Sequence, residues 1–235
     1  MIHYHGTPIS PVAELLKMKG RHFCVSFADP RDADRCQQIG QSVLFDNGAF
    51  SAFTRGHNFD RLGYIEWLRP RLFHPHKAIC PDIIGGTEDD QRKALEDWPF
   101  PKEMSLPVWH LGLDMFYLAE LVDEWPCVAF GSSAEYWKVG SERWCGRVDY
   151  AFDILSKHRH LPWVHMLRGL SVASKGRWPF ASADSINIGR NFKDRKRCPE
   201  SMANEIDAIQ PRVSSGRREQ MDLLVATDAS DQPRS

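Results

Sequence analysis

Two stretches of the sequence share one pattern, in which an apolar run ends at an aspartate and a glycine-containing turn follows: Leu44-Phe45-Asp46-Asn47-Gly48-Ala49-Phe50 and Ala183-Asp184-Ser185-Ile186-Asn187-Ile188-Gly189-Arg190-Asn191. A short apolar run that stops at a turn of this kind is typical of the carboxyl end of a buried strand. Rigid backbone holds a carboxylate at that position, and the loop beyond it leaves room for a substrate. We therefore take Asp46 and Asp184 as candidate catalytic residues, which a barrel would bring together.

Short apolar runs bounded by Gly, Pro or Asp recur along the chain, and helix-like stretches separate most of them. The apolar runs are residues 2–5, 22–27, 42–45, 77–80, 107–111, 127–130, 163–167 and 183–188. The helix-like stretches are residues 11–19, 30–39, 59–73, 88–97, 113–125 and 147–158. Strands that alternate with helices pair in parallel, and eight such units close a barrel. The sequence predicts an α/β fold with a single (β/α)8 barrel of the TIM type; an open doubly wound sheet is the alternative.

The domain boundary is expected near residue 210. Residues 1–210 carry the strand and helix pattern, whereas residues 211–235 are polar and contain few apolar side chains. Such a segment cannot bury enough apolar surface to offset its conformational entropy. We expect a barrel domain over 1–210 and a short polar C-terminal extension, in part disordered, over 211–235.

The overall charge predicts no partner. The chain has 30 Lys and Arg against 31 Asp and Glu, a formal net charge of −1, so attraction for a polyanion has to come from a local patch. The 6 cysteines are spaced singly, as in structural reduced thiols. No signal pattern and no run of 18 apolar residues is found, which indicates a cytoplasmic protein without a membrane partner.

Other predicted strand ends also carry polar or small residues. Asp82 follows residues 79–81, His110 follows 107–109, and Gly131 and Ser132 follow 127–130. In a closed barrel these residues surround one opening with Asp46 and Asp184, which favours a substrate-binding role. The alternatives are a helix cap for Asp82 and a hydrogen-bonded core position for His110.

Two further residues suit a flat ligand. Gly48 lacks a Cβ, as Gly131 does, so backbone can approach a planar group closely. Phe50 lies just beyond the same turn and offers an aromatic face on which a base can stack, or packs under the loop instead. Both residues favour a heterocyclic substrate.

A basic run follows Asp184 and is a candidate contact for nucleic-acid phosphates. Its basic residues are Arg190, Lys193, Arg195, Lys196 and Arg197. A run of this kind can bind phosphates beside a site, or it can be ordinary solvated surface.

The order of these motifs resembles that of the tRNA-guanine transglycosylases. Asp46-Asn47-Gly48-Ala49-Phe50 is similar to the Asp-Ser-Gly-Gly-Phe turn of that family, and Cys80-Pro81-Asp82 matches its base-recognising Asp in position along the barrel. Asp184 with Arg190 resembles its nucleophilic Asp and an Arg six residues later.

Three shorter motifs extend the resemblance over about residues 40–191. Val108-Trp109-His110-Leu111-Gly112 is similar to the strand that carries a base-contacting Gln, Phe130-Gly131-Ser132-Ser133 to a Gly-Gly-Leu turn, and His165-Met166-Leu167-Arg168-Gly169 to a Leu-Met-Gly strand. The sequence departs from the family in three ways, because its zinc-binding cysteines and its tRNA-binding insertion have no counterpart and His110 replaces the Gln. The chain resembles most the compact, zinc-free phage and bacterial relatives that exchange guanine in DNA for a 7-deazaguanine.

The resemblance implies an enzyme of the pentosyltransferase class that uses no metal and no cofactor. Its partners are guanine-containing DNA and a free 7-deazaguanine base, with tRNA left open as the acceptor. Asp184 is the implied nucleophile, Asp46 the acid and base, and Asp82 the residue that accepts hydrogen bonds from guanine. His110, Gly131 and Ser132 contact the rest of the base, which must be flipped out of a duplex or come from a single strand.

Two other functions compete with this interpretation. His3 and His5 share one face of the first predicted strand, and with Asp184 they form the ligand set of a zinc-dependent amidohydrolase-like barrel. The chain is alternatively a non-catalytic relative that binds nucleic acid through the basic run.

Overall fold

Nine parallel strands form one sheet that curls until its two edges meet, in a computed structural model of the chain. The strands are β1 (Ile2–Gly6), β2 (His22–Ser26), β3 (Ser42–Asp46), β4 (Lys77–Ile79), β5 (Ser105–Leu106), β6 (Val108–His110), β7 (Cys127–Gly131), β8 (Trp163–Met166) and β9 (Ser182–Ser185). Their order is β5-β4-β3-β2-β1-β9-β8-β7-β6. The structure describes residues 1–158, 161–194 and 196–210.

Pro107 explains why nine strands occupy eight positions. Proline has no N–H to donate, so it interrupts the strand and leaves β5 paired with β4 and β6 paired with β7. Backbone bonds from Cys80 N to Leu106 O (2.8 Å) and from Ala129 N to Pro107 O (2.9 Å) complete the two ladders. One stretch of chain thus pairs on both sides, and the predicted α/β barrel is confirmed over the open sheet.

Helices follow the strands and cover the outside of the barrel. They are α1 (Val12–Leu16), α2 (Ala33–Ile39), α3 (Ala49–Thr54), α4 (Arg61–Leu68), α5 (Glu88–Leu95), α6 (Met115–Glu124), α7 (Glu142–Leu155), α8 (Leu170–Ala173), α9 (Asn187–Asn191) and α10 (Pro199–Asp207). The side chains of Asp60, Thr87, Asp114 and Ser141 each accept a hydrogen bond from a backbone N–H in the first turn of α4, α5, α6 and α7. These caps satisfy donors that have no partner inside a helix.

The predicted strands all exist, with ends that differ by a few residues. The clearest errors concern helices. Helix α7 begins at Glu142, earlier than predicted, because Ser141 caps it. The last predicted strand ends at Ser185 and α9 occupies residues 187–191. The short helices α3 and α8 were not predicted, since 6 and 4 residues are too few to show a helical period.

Side chains along each strand alternate between the barrel interior and the helices. The interior holds a small apolar cluster of Tyr4, Cys24, Leu44, Ile79, Leu106, Val108, Cys127 and Ala129. Two larger apolar clusters lie between the strands and the surrounding helices. This alternation decides which strand-end side chains face the opening of the barrel.

All six cysteines are free thiols, as the single spacing predicted. Among the residues that the structure describes, no helix is long and apolar enough to cross a bilayer. The predicted C-terminal extension, residues 211–235, lies outside the described residues.

Tyr64 on α4 joins two strands that lead into the opening. Its buried hydroxyl lies 3.1 Å from Phe45 O in β3 and 2.8 Å from Ile79 O in β4. The ladder between these strands is short, with only Leu44↔Lys77 and Phe45↔Ala78 in register. The hydroxyl therefore links the strands directly before Asp46 and Cys80.

We expect Tyr64→Phe to lower the free energy of unfolding by about 1–2 kcal/mol, because it removes a buried hydroxyl that serves two carbonyl groups. Chemical denaturation measures the change. Tyr150→Phe is the matched control, since Tyr150 is 53% exposed. Equal losses in both variants would contradict a specific role for the Tyr64 hydroxyl.

Candidate functional site

A cleft of about 910 Å³ opens at the carboxyl ends of the strands. Strand ends and the loops after them line it from all sides of the barrel, as expected for this fold. The sequence-predicted residues that line it are Asp46, Phe50, Asp82, His110, Gly131, Ser132, Asp184 and Arg190. Three carboxylates from distant segments of the chain therefore share one cavity.

Asp46 ends β3 and has an environment that favours its protonated form. Burial raises the pKa of Asp46 to about 6, against the opposing hydrogen bond from Ser26, and the negative charges of Asp184 and Asp82 raise it further. The Gly48 N–H donates to Asp46 Oδ2 at 3.1 Å and also opposes the rise. A carboxyl group that titrates near neutral pH can both donate and accept a proton.

Asp184 in β9 is held through one of its two oxygens. The Arg168 N–H donates to Asp184 Oδ1 at 2.6 Å, and His165 Nε2 lies 3.3 Å from the same atom. An ionised carboxylate only accepts, so His165 donates from Nε2 and its Nδ1 accepts from Ser182 Oγ at 2.7 Å. No hydrogen bond within the described residues engages Asp184 Oδ2, which leaves this oxygen available to a substrate.

Arg168 follows β8 and has two roles in the site. Its φ of 54° lies in the left-handed region, a conformation that costs a non-glycine residue about 1 kcal/mol. Its guanidinium stands 3.8 Å from the ring centroid of Phe50. Because β3 and β8 occupy opposite positions of the barrel, this contact spans the opening of the cleft. Arg168 belongs to the motif His165-Met166-Leu167-Arg168-Gly169, but nothing in the sequence indicates its backbone bond to Asp184 or its contact with Phe50.

Asp82 is buried, with both oxygens already engaged by protein donors. Asn47 Nδ2 lies 2.6 Å from Asp82 Oδ1, and His110 Nε2 lies 2.8 Å from Asp82 Oδ2. Asn47 also donates to Cys80 O and accepts from the Ala49 N–H, so its side-chain amide holds Asp82 in a fixed position beside the end of β3. The alternative role of Asp82 as a helix cap is wrong, because the α5 cap is Thr87.

His110, Gly131 and Ser132 lie side by side on neighbouring strands. A Cβ on Gly131 would stand 2.9 Å from His110 Nδ1, so glycine is required for the imidazole to occupy its place. Ser132 Oγ accepts from Trp144 Nε1 at 2.9 Å. These contacts fix the positions of His110 and Ser132 at the wall of the cleft.

Gly48 does not line the cleft and is the N-cap residue of α3. Its φ of 76° is left-handed, and an added Cβ would stand 2.9 Å from the backbone nitrogen of Ala28. The missing Cβ of Gly48 therefore makes room for the loop that contains Ala28, and not for a planar ligand as the sequence predicted. Glycine here lets the chain turn from Asp46 into the helix that carries Phe50.

The basic run is divided between the cleft and the outer surface. Arg190 lines the cleft, whereas Arg197 pairs with Glu205 on α10 and Lys193 stands over its neighbour Phe192. Lys196 is exposed and does not line the cleft. Arg195 lies outside the described residues. Among the described residues, Arg55 and Arg168 line the cleft as well.

His3 and His5 face away from Asp184. Their neighbour Tyr4 fills the barrel interior, so alternation turns both imidazoles outward to α10. His5 Nε2 lies 3.0 Å and His3 Nδ1 lies 3.4 Å from Asp207 Oδ1. Burial alone would raise the pKa of Asp207. The contacts with His3 and His5 and the charge of Arg21 outweigh burial and hold this pKa below its ordinary value. The zinc set of His3, His5 and Asp184 is therefore wrong.

In the part of the chain that the structure describes, no group of three or more His, Cys, Asp or Glu side chains is arranged to hold a metal ion. Comparison with known proteins finds no matching family model, no matching curated protein and no matching solved structure. These comparisons therefore indicate no function for the site.

The raised pKa of Asp46 makes a prediction about stability. A folded-state pKa of about 6 against the ordinary 3.8 means that the folded protein binds this proton more tightly than the unfolded chain. Stability is therefore lost as the pH rises from about 4 to about 6. We expect Asp46→Asn to raise the free energy of unfolding at pH 7 by about 3 kcal/mol.

Denaturation at a series of pH values measures this effect. The gain from Asp46→Asn should disappear below about pH 4, where Asp46 is protonated in both states. Asp153→Asn, at an exposed position on α7, should show no such gain. A stabilisation that is the same at pH 3 and pH 7 would contradict the proposed cause.

Proposed function

We propose that the protein is a transglycosylase that replaces guanine in DNA with a 7-deazaguanine through a covalent glycosyl-aspartate intermediate. The observation that carries the proposal is the shared cleft of Asp46, Asp82 and Asp184, in which one carboxyl group has a pKa of about 6 and another has a free oxygen. A nucleophile and a separate acid and base are what a two-step exchange of glycosidic bonds needs.

In the first step Asp184 Oδ2 attacks C1′ of the target nucleotide. A bond forms between C1′ and Oδ2, and the bond between C1′ and the guanine ring nitrogen breaks. The proton of the Asp46 carboxyl group passes to the departing guanine, which makes it a better leaving group. The hydrogen bonds from His165 and the Arg168 N–H to Oδ1 hold the carboxylate with Oδ2 toward the cleft.

In the second step the incoming 7-deazaguanine occupies the place of guanine. The Asp46 carboxylate takes the ring N–H proton of the new base, and the freed nitrogen attacks C1′. The bond between C1′ and Asp184 breaks, which returns both aspartates to their starting forms. Two displacements at one carbon restore its configuration without cutting the strand.

Asp82 supports recognition of the base. A carboxylate has about four lone-pair sites, and Asn47 and His110 use two of those on Asp82. The remaining sites can accept the adjacent ring N–H and amino donors of guanine or of a 7-deazaguanine. Adenine lacks this donor pair, so the same contact discriminates against it.

Asp184→Asn should abolish exchange, because the amide cannot form the glycosyl ester. The measurement offers guanine-labelled DNA and tRNA with unlabelled 7-deazaguanines and follows guanine release and trapped adducts of protein and nucleic acid. Asp153→Asn is the matched control and should keep full activity. If the adduct persists in Asp184→Asn, Asp184 is not the nucleophile. If exchange occurs on tRNA alone, the acceptor is tRNA and not DNA.

The pH dependence of the first step tests Asp46. The kcat/KM for guanine release should fall as the pH rises through about 6, because only the protonated carboxyl group of the free enzyme can donate. Asp46→Asn should lower the rate by about 100-fold or more and remove this limb of the profile. If kcat/KM of the variant still falls at the same pH, another residue donates the proton to the departing guanine.

A further inference from the structure

Charge around the cleft is separated into a basic rim and an acidic floor. Arg55, Arg168 and Arg190 are exposed and line the opening. The arginine ion pairs of the described residues all belong to other arginines, so these three guanidinium groups are available to an anion. Asp82 and Asp184 lie below them and are buried. A phosphate is attracted to the rim and repelled by the floor.

Two aromatic side chains flank the same opening. Phe53 on α3 is 58% exposed, and Trp137, after β7, is 73% exposed; both line the cleft. Strands β3 and β7 are three positions apart in the eight-position barrel, so the two rings approach the opening from nearly opposite sides. Large apolar surfaces left in water beside a polar cleft are typical of a binding site.

The combination of exposed arginines, exposed aromatic rings and buried carboxylates around one cleft fits one kind of partner. A nucleotide in the cleft places its base among the carboxylates and leaves its phosphates at the arginines. The nucleotides on either side of it can then stack on exposed rings, but only if their faces are free. In a duplex those faces are covered by neighbouring base pairs.

We propose that the rim is a binding surface for single-stranded DNA. Phe53 and Trp137 stack on the bases that flank the nucleotide in the cleft, while Arg55, Arg168 and Arg190 contact the phosphates. The inference rests on the proposed function for the nucleotide in the cleft, and it adds that the acceptor segment is unpaired.

Binding can be measured apart from the chemistry. The full chain with Asp184→Asn is titrated against a fluorescently labelled 12-nucleotide single strand with one guanine, against the same sequence as a duplex, and against its RNA counterpart. We expect the single DNA strand to bind at least about tenfold more tightly than the duplex, because only its bases can stack on both rings.

Phe53→Ala and Trp137→Ala, each in the same background, should weaken binding of the single strand by about tenfold and leave duplex binding unchanged. Phe116→Ala is the matched control, because Phe116 is 83% exposed on α6 and does not line the cleft. All three positions are exposed, and thermal unfolding checks that the variants fold equally.

Salt dependence tests the arginines. Replacing Arg55, Arg168 and Arg190 by Gln should reduce the slope of log K against log salt by about 2, since each phosphate contact to a single strand contributes about 0.7. Arg31, Arg69 and Arg143, which are exposed outside the cleft, give the control triple variant.

Three results would each overturn the proposed surface. They are tighter binding of the duplex than of the single strand, equal losses of affinity in Phe116→Ala, Phe53→Ala and Trp137→Ala, and an unchanged salt slope in the arginine variant. RNA bound at least tenfold more tightly than DNA would overturn DNA as the occupant. Failure of the base-exchange reaction has a different signature. In that case wild-type protein binds single-stranded DNA as expected, yet releases no guanine.

Discussion

The pairing of residues 105–110 with strands on both sides is the constraint on which the site depends. Pro107 divides this stretch, and each half completes the ladder of a different neighbour. The closed sheet brings the carboxyl ends of all strands to one opening, where Asp46, Asp82 and Asp184 meet although they are far apart in the chain. Without closure, β4 and β7 would lie near opposite ends of the sheet.

Closure also sets the electrostatics of the opening. Carboxylates that share a low-dielectric cavity raise the free energy of each other's charged form, and burial adds to this for Asp46. The fold tolerates the cost because the remaining carboxylates are compensated: Asn47 and His110 bond Asp82, while His165 and Arg168 bond Asp184. The uncompensated cost falls on Asp46, whose charged form lowers the free energy of unfolding.

Much of the architecture could be predicted from local patterns. Short apolar runs bounded by Gly, Pro or Asp marked eight of the nine strands, all but β5, and residues at their ends line the cleft because strand ends of a parallel barrel share one face. Short helices escaped prediction, as in α3 and α8. One alternative placed His3 and His5 in a metal site from their spacing, but spacing shows only that two residues share a strand face, not whether that face is the interior or the helix side.

The sequence by itself determined the alternation of strands and helices and the polar strand ends, because these follow from periodicity within a few neighbouring residues. It favoured a barrel but left an open sheet as the alternative, because closure depends on pairing between strands that are distant in the chain. Tertiary structure alone decided the partners of those residues: His165 and the Arg168 N–H on Asp184, Asn47 between β3 and Asp82, and Arg168 across the opening on Phe50. Each of these contacts joins segments that only the closure and register of the sheet bring within hydrogen-bonding or stacking distance. No local pattern records that geometry.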